Sequence, residues 1–292
     1  MSPADGHVYD LGYRRYEGPR REGASPVLAL AGWSALRSLG LRQGWKRKVI
    51  PALLFALAMT PALIAIGIFA VVDDAFRERV AERGTLILYE DYYGLIDLVM
   101  LLGAAAVVPL LVCPDRRYRT LGLYFATAVG RDGYVIAKVL AAIMPMLAVT
   151  LLPMLTLYAG NVLLAASARD YLSDNADVIP RIVASGFLLA GFYSMLGLAL
   201  ASFFRQSAIA TGALIGLVIA TGALGHILVV GGGAPDWVGL VSLREMPQNA
   251  VDALFGADPS FGPGGRWWLL ATLAVTLAAA AVFRSRYRGE VR

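Results

Sequence analysis

The stretch Val49–Val72 reads VIPALLFALAMTPALIAIGIFAVV, 24 residues without a charged side chain. A helix needs about 20 apolar residues to cross the hydrocarbon core of a bilayer. Pro51 and Pro61 do not break that reading, because membrane helices accept proline with a local kink. Working outward, the same signature recurs over Tyr93–Cys113, broken only by Asp97, and over Val139–Val162, Ile182–Phe204, Ser207–Val230 and Trp267–Phe283. A segment in lipid must satisfy its own backbone amides, so each of these runs reads as a helix. The expected fold is an all-α polytopic membrane protein with six transmembrane helices. Composition agrees: 58% of residues are hydrophobic and 16% charged, against roughly 25% charged in soluble domains.

The net charge is +5. In a soluble protein such a surplus raises nucleic acid as a partner. Here its distribution points to topology instead, and no nucleic-acid partner is expected. With the N-terminus placed in the cytoplasm, 19 of the 26 Lys and Arg fall on the inner side, while 14 of the 21 acidic residues fall in outer loops or the second span. This positive-inside pattern places both termini in the cytoplasm. The expected layout is a cytoplasmic segment with an interfacial helix over 1–48, the six-helix domain over 49–283 and a cytoplasmic tail over 284–292. The polar start, Met1 to Glu22, lacks a cleavable signal peptide's apolar core. Tyr89, Tyr92, Tyr93, Trp237, Trp267 and Trp268 fall near outer span ends, and Trp45, Tyr118, Tyr134 and Tyr287 near inner ends, as aromatic belts would.

Two segments outside the spans carry structure. Ser25–Trp45 reads as a helix in the inner interface, with Ser25 as cap and Pro26 at its first position. Leu28, Leu36 and Leu39 share one flank, and Ser34, Arg37, Ser38 and Arg42 lie mostly on the other. The last outer loop contains Leu243–Phe255, a short helical element that dips partly into the outer leaflet, caps the exit of a pathway or lies on the surface. In span five, Ala208, Gly212, Gly216 and Ala220 recur every four residues and form a flat stripe for close helix approach. Span four has a weaker version with Gly186, Ala190, Gly197 and Ala201. The spacing leaves open whether either stripe meets its own chain or another.

Catalytic sets are absent from the sequence. It has no G-x-x-x-x-G-K-[ST] run to hold nucleotide phosphates and no H-E-x-x-H. One cysteine, Cys113, and two histidines, His7 and His226, make no usual metal site. The chain is therefore not expected to be an enzyme. Two intramembrane polar residues stand out. Asp97 is either functional, as buried charges in membranes often are, or shallow enough to reach interfacial water. His226 reads as a polar residue hydrogen-bonded inside the bundle near its outer surface.

The most informative loop follows span two: Pro114-Asp-Arg-Arg-Tyr-Arg-Thr-Leu-Gly-Leu-Tyr-Phe-Ala-Thr-Ala-Val-Gly-Arg131, then Asp132-Gly-Tyr-Val-Ile-Ala-Lys138. It is basic at first, through Arg116, Arg117 and Arg119, and then apolar and helical, with Leu121, Leu123, Tyr124 and Phe125 available to dock. A loop that only sets topology needs the arginines but not the apolar middle. That surplus points to a protein contact on the cytoplasmic side.

This order of residues resembles the loop after the second span in permease subunits of the type-2 ABC transporter family. The matching positions are Asp115, Arg116, Thr120, Leu121, Leu123, Arg131, Tyr134 and Lys138. The six spans, the cytoplasmic termini, the elbow helix and the helical element before span six match that family too. Tyr9-Asp-Leu-Gly-Tyr-Arg-Arg-Tyr-Glu-Gly-Pro-Arg20 looks like the opening of its bacterial permeases. The chain departs from the family in lacking its usual Glu residues near Asp115 and in carrying Arg117 and Arg119. The importers' Glu-Ala-Ala motif is absent, which favours export.

The resemblance implies the permease subunit of an ATP-driven exporter in a bacterial cytoplasmic membrane. Two such chains, identical or not, would pair through spans one and five. Two copies of a separate ATP-binding subunit would hold ATP and Mg and dock on Arg116–Gly130 and the N-terminal elbow, leaving no cofactor in this chain. The alternatives are a stand-alone secondary transporter, a membrane-embedded enzyme and a non-transporting scaffold.

Overall fold

The computed structural model describes residues 18, 24–41, 44–71, 89–127, 129–165, 167–259 and 262–289. Among them the chain forms eleven α-helices and no strand. They are α1 (Ser25–Ser38), α2 (Trp45–Val71), α3 (Tyr89–Val107), α4 (Pro109–Arg117), α5 (Leu121–Phe125), α6 (Gly130–Leu164), α7 (Ala168–Asp174), α8 (Val178–Ala201), α9 (Ser207–His226), α10 (Glu245–Phe255) and α11 (Gly265–Gly289). Six segments are long and apolar enough to cross a membrane: α2, α3 with α4, α6, α8, α9 with the π-helical turn Ile227–Gly231, and α11. The protein is an all-α, multi-pass membrane protein. The opening segment Tyr9–Arg20 lies outside the described residues, apart from Gly18.

Several span boundaries differ from the uncharged runs: the first spanning helix starts at Trp45, the second segment runs on to Arg117, the fourth starts at Val178 and the sixth continues past Phe283. The third span starts at Gly130, well before Val139. Its first turns carry Arg131, Asp132 and Lys138, and a charge can be held in such a helix when it is paired. The fourth ends at Ala201, short of Phe204. The second span bends where Pro109 supplies no amide donor, and the Leu111 amide donates instead to the Val108 carbonyl at 3.0 Å.

Helix α8 is the centre of the bundle, packed against α3, α4, α6, α9, α10 and α11. Its small-residue stripe is used within the chain. A Cβ at Gly186 would collide with Leu151 of α6, and one at Gly197 would lie 3.0 Å from Val108 Cγ1. Ala190 and Ala201 are fully buried. The α9 stripe has the opposite fate: Ala208, Gly212, Gly216 and Ala220 are all exposed, and a Cβ at Gly212 or Gly216 would meet nothing. Both α2 and α9 sit at the periphery, each packed on α3.

Several expected belt residues are core instead. Tyr89, Tyr92, Tyr93, Tyr134, Trp268 and Tyr287 are buried, while Trp45, Tyr118, Trp237 and Trp267 are exposed as a belt requires. Tyr92 shows why burial is tolerated, since its hydroxyl donates to the Ala58 carbonyl at 2.6 Å and pins α3 to α2. A buried phenol with a partner loses little by leaving water.

Helix α1 turns its polar flank to protein. Ser34, Ala35 and Ser38 face the bundle and are buried, while Leu28 and Trp33 point away from it. Its serines therefore meet protein, and its apolar flank meets the surroundings. Ala24, without a side-chain cap bond, takes the N-cap position that Ser25 was expected to hold. The helix ends in a Schellman turn: Leu41 N–H donates to Leu36 O at 3.0 Å and Gly40 N–H to Arg37 O at 3.1 Å. Gly40 has φ +69 and abuts the Arg47 carbonyl, where a Cβ would lie 2.7 Å away, so only glycine fits.

Candidate functional site at the basic end

The bundle has a basic end, which holds α1, the α4–α6 connection and the end of α11, and an acidic end. Asp115, on the last turn of α4, is the hub of the basic end. Its side chain is buried, yet it gathers three donors from two other helices. Lys138 Nζ of α6 lies 2.7 Å from Oδ2, the Tyr134 hydroxyl of α6 donates to the same oxygen at 3.0 Å, and Arg37 Nη2 of α1 meets Oδ1 at 3.2 Å. Lys138 also donates to Ser34 Oγ of α1 at 3.2 Å. Tyr134 and Lys138 are four residues apart on α6, so both side chains lean onto one face.

A buried charge is tolerable only when paired and hydrogen-bonded. Lys138 meets that condition through Asp115, Ser34 and the rings of Tyr124 and Tyr134, whose centroids lie 5.9 and 5.3 Å from Nζ. The serines of α1 face inward because one of them completes this shell.

The hub also fixes the loop that follows it. Thr120 returns two bonds to the Asp115 carbonyl, from its amide at 3.0 Å and its hydroxyl at 3.3 Å. Arg119 takes the left-handed backbone region, with φ 55, to make the turn. Helix α5 then lies on α6. Tyr124 and Phe125 contact the Tyr134 ring at 5.5 and 5.8 Å between centroids, and Leu121 packs partly into the same core. Burial raises the Tyr124 phenol above its ordinary value, with the nearby Asp115 charge adding. Much of the apolar surplus in the sequence is thus spent inside the chain. Leu123 is the exception: it is 71% exposed and shares the outer surface with Arg117, Tyr118 and Arg119.

The C-terminal helix closes the arrangement. Tyr287 is buried against Tyr134 at 5.4 Å. Arg131 donates to the Arg288 carbonyl at 3.3 Å and lies over the Phe125 ring. Asp132 meets both Arg284 and Arg288 at 3.4 Å. Arg116 stays beside Asp115 on α4 and is partly buried. Of the residues singled out by the loop motif, Asp115, Tyr134 and Lys138 converge. Arg37, Ser34 and Tyr287, read from the sequence only as interfacial residues, join them, because nothing in their local sequence marks so distant a partner.

At the acidic end, Asp97 is paired within the chain. It accepts from the Tyr193 hydroxyl at 2.8 Å and pairs with Arg244 at 3.2 Å. Arg244 reaches it because Gly222 and Gly225 let residues 242–244 press onto α9; a Cβ at Gly222 would lie 3.0 Å from Arg244 Cβ. Helix α10 follows, packed on α3, α8 and α11, and its C-terminus is closed by Gly256 in the left-handed region and by Arg181, which donates to the Phe255 carbonyl at 3.0 Å. His226 stands on the exposed side of α9, not within the bundle.

Among the described residues, no three His, Cys, Asp or Glu side chains cluster to hold a metal ion. Fold and site together define a multi-pass helical membrane protein with a buried polar hub at one end. Compared with models of known protein families and with curated proteins, the chain matches none.

Proposed function

We propose that this chain is the permease subunit of an ATP-driven ABC exporter. It would sit in a bacterial cytoplasmic membrane with its basic end and both termini in the cytoplasm, as the Lys and Arg distribution favours. Two copies of a separate ATP-binding subunit would hold the nucleotide and dock on the loop carrying α5. A second permease chain would pack on α2 and α9.

The observation that carries this reading is the mounting of α5. One side of the short helix is bonded into its own chain through Leu121, Tyr124 and Phe125, while Leu123, Tyr118 and Arg119 face away. A helix held rigidly on one side and apolar on the other is built to pass a push from a partner into the span behind it. The push would reach α6 through Tyr134, α4 through Asp115 and α1 through Arg37. The exposed glycine stripe of α9 supports the second permease contact, since a flat face at helix–helix spacing is idle within one chain.

The test is a gentle-detergent pull-down of the tagged chain from its native membranes, with co-purifying proteins identified. A stoichiometric ATP-binding subunit, together with vanadate-sensitive ATP hydrolysis that requires both chains, supports the reading. Recovery of this chain alone, under conditions that keep a known ABC complex intact, overturns it.

A further inference from the structure

Along α1 and at the start of α2, the chain exposes indole, aliphatic and ammonium groups. Leu28, Trp33 and Leu41 face away from the bundle, and Trp45 is 72% exposed. Lys46 and Lys48 follow on the first turn of α2, both exposed. The Schellman turn at Gly40 clamps the end of α1 against the Arg47 backbone, so the apolar face and the cations keep a fixed relation.

No described carboxylate is left to neutralise those lysines. At the basic end the described acids are Asp115 and Asp132, and each already serves two cations: Arg37 and Lys138 in one case, Arg284 and Arg288 in the other. The outward side of α1 calls for hydrocarbon, and the adjoining surface calls for negative charge. One molecule that supplies both in this geometry is an acidic phospholipid.

We propose that the α1–α2 elbow is a binding seat for anionic phospholipid, with the headgroup phosphate on Lys46 and Lys48 and an acyl chain along Leu28, Trp33 and Leu41. Trp33 and Trp45 sit at the level where amphipathic rings favour the interface. Because α1 also supplies Ser34 and Arg37 to the Asp115 hub, the lipid would hold α1 on the bundle and thereby steady the hub. This does not depend on what the chain transports.

Tryptophan quenching by brominated lipid tests it on the purified, reconstituted full chain. Brominated phosphatidylglycerol should quench more strongly than brominated phosphatidylcholine at equal mole fraction, and Trp33→Phe/Trp45→Phe should remove the difference. An ammonium near an acidic lipid surface contributes about 1 kcal/mol, so Lys46→Gln/Lys48→Gln should weaken the phosphatidylglycerol preference roughly thirtyfold. Arg205→Gln, at the same end but away from the elbow, should leave it intact. Native mass spectrometry of the unaltered chain provides a second readout, with phosphatidylglycerol retained after delipidation in preference to phosphatidylcholine. No preference for phosphatidylglycerol in the unaltered chain overturns the proposal and leaves the lysines to an acidic protein surface. A preference that survives loss of both lysines overturns it as well.

Discussion

Lys138 Nζ and Asp115 Oδ2 lie 2.7 Å apart, with the lysine side chain fully closed off from solvent and the aspartate nearly so. Removing one partner of such a pair strands the other, at a cost of about 3–5 kcal/mol. Asp115→Asn should therefore lower the melting temperature in micelles markedly. Combining it with Lys138→Met should recover much of the loss, because the stranded charge goes too. An Asp115→Asn protein that melts like its parent would show that the pair holds nothing together.

The two leucines of α5 separate folding from docking. Leu121 is packed partly into the core, so Leu121→Asp should lower thermal stability. Leu123 touches no core, so Leu123→Asp should leave melting within about 0.5 kcal/mol of the parent. Under the exporter reading it should abolish co-purification of the ATP-binding subunit, and Arg131→Glu should uncouple ATP hydrolysis by detaching the loop from α11. Intact coupling in both variants would remove the docking role from this loop.

The glycine stripes of α8 and α9 should answer differently to the same change. Gly186→Ala must displace Leu151, and overpacking of this kind costs about 1–3 kcal/mol. Gly212→Leu and Gly216→Leu enter open space and should leave the monomer's stability unchanged. If a second permease chain packs there, these two leucines should shift the complex toward monomer in cross-linking or mass photometry.

Glu245, at the start of α10, is raised above its ordinary value of 4.5 by burial, with Arg244 opposing, Asp97 adding and His226 opposing. The folded protein holds this proton more tightly than the unfolded chain does. Its stabilising contribution is thus complete below pH 4.5 and is lost as pH rises through the folded value. Melting temperature should fall over that window, and Glu245→Gln should flatten the slope. An identical slope in Glu245→Gln would assign it to another group.

Hydropathy alone located all six spans, because lipid forces an apolar run into a helix whatever its neighbours do. It misplaced the start of α6, since a run counted by missing charges stops at Lys138, and only tertiary pairing makes that lysine admissible. The loop motif held Asp115, Tyr134 and Lys138 but not their convergence, which needs α4 and α6 side by side. Helix α1 was read as an interfacial helix with a polar flank, and such flanks usually face water. The rule fails here because a buried lysine claims Ser34. The Asp97–Arg244 pair was out of reach for a similar reason: it depends on Gly222 and Gly225 admitting a distant loop, and isolated glycines in a span look like any other small residues.

The inward-facing serines of α1 also bear on how the chain can be trimmed. A gene edited to begin at Gly44 would still encode six hydrophobic passages, and every hydropathy plot would judge it whole. Yet it would discard the wall behind which an ammonium group is stored. Lys138 would keep Asp115 but lose Ser34, and Asp115 would lose Arg37, leaving the remaining pair open on one flank to acyl chains. The shortened protein should insert and then be degraded or aggregate, so for this chain the smallest insertable unit and the smallest stable unit are different lengths.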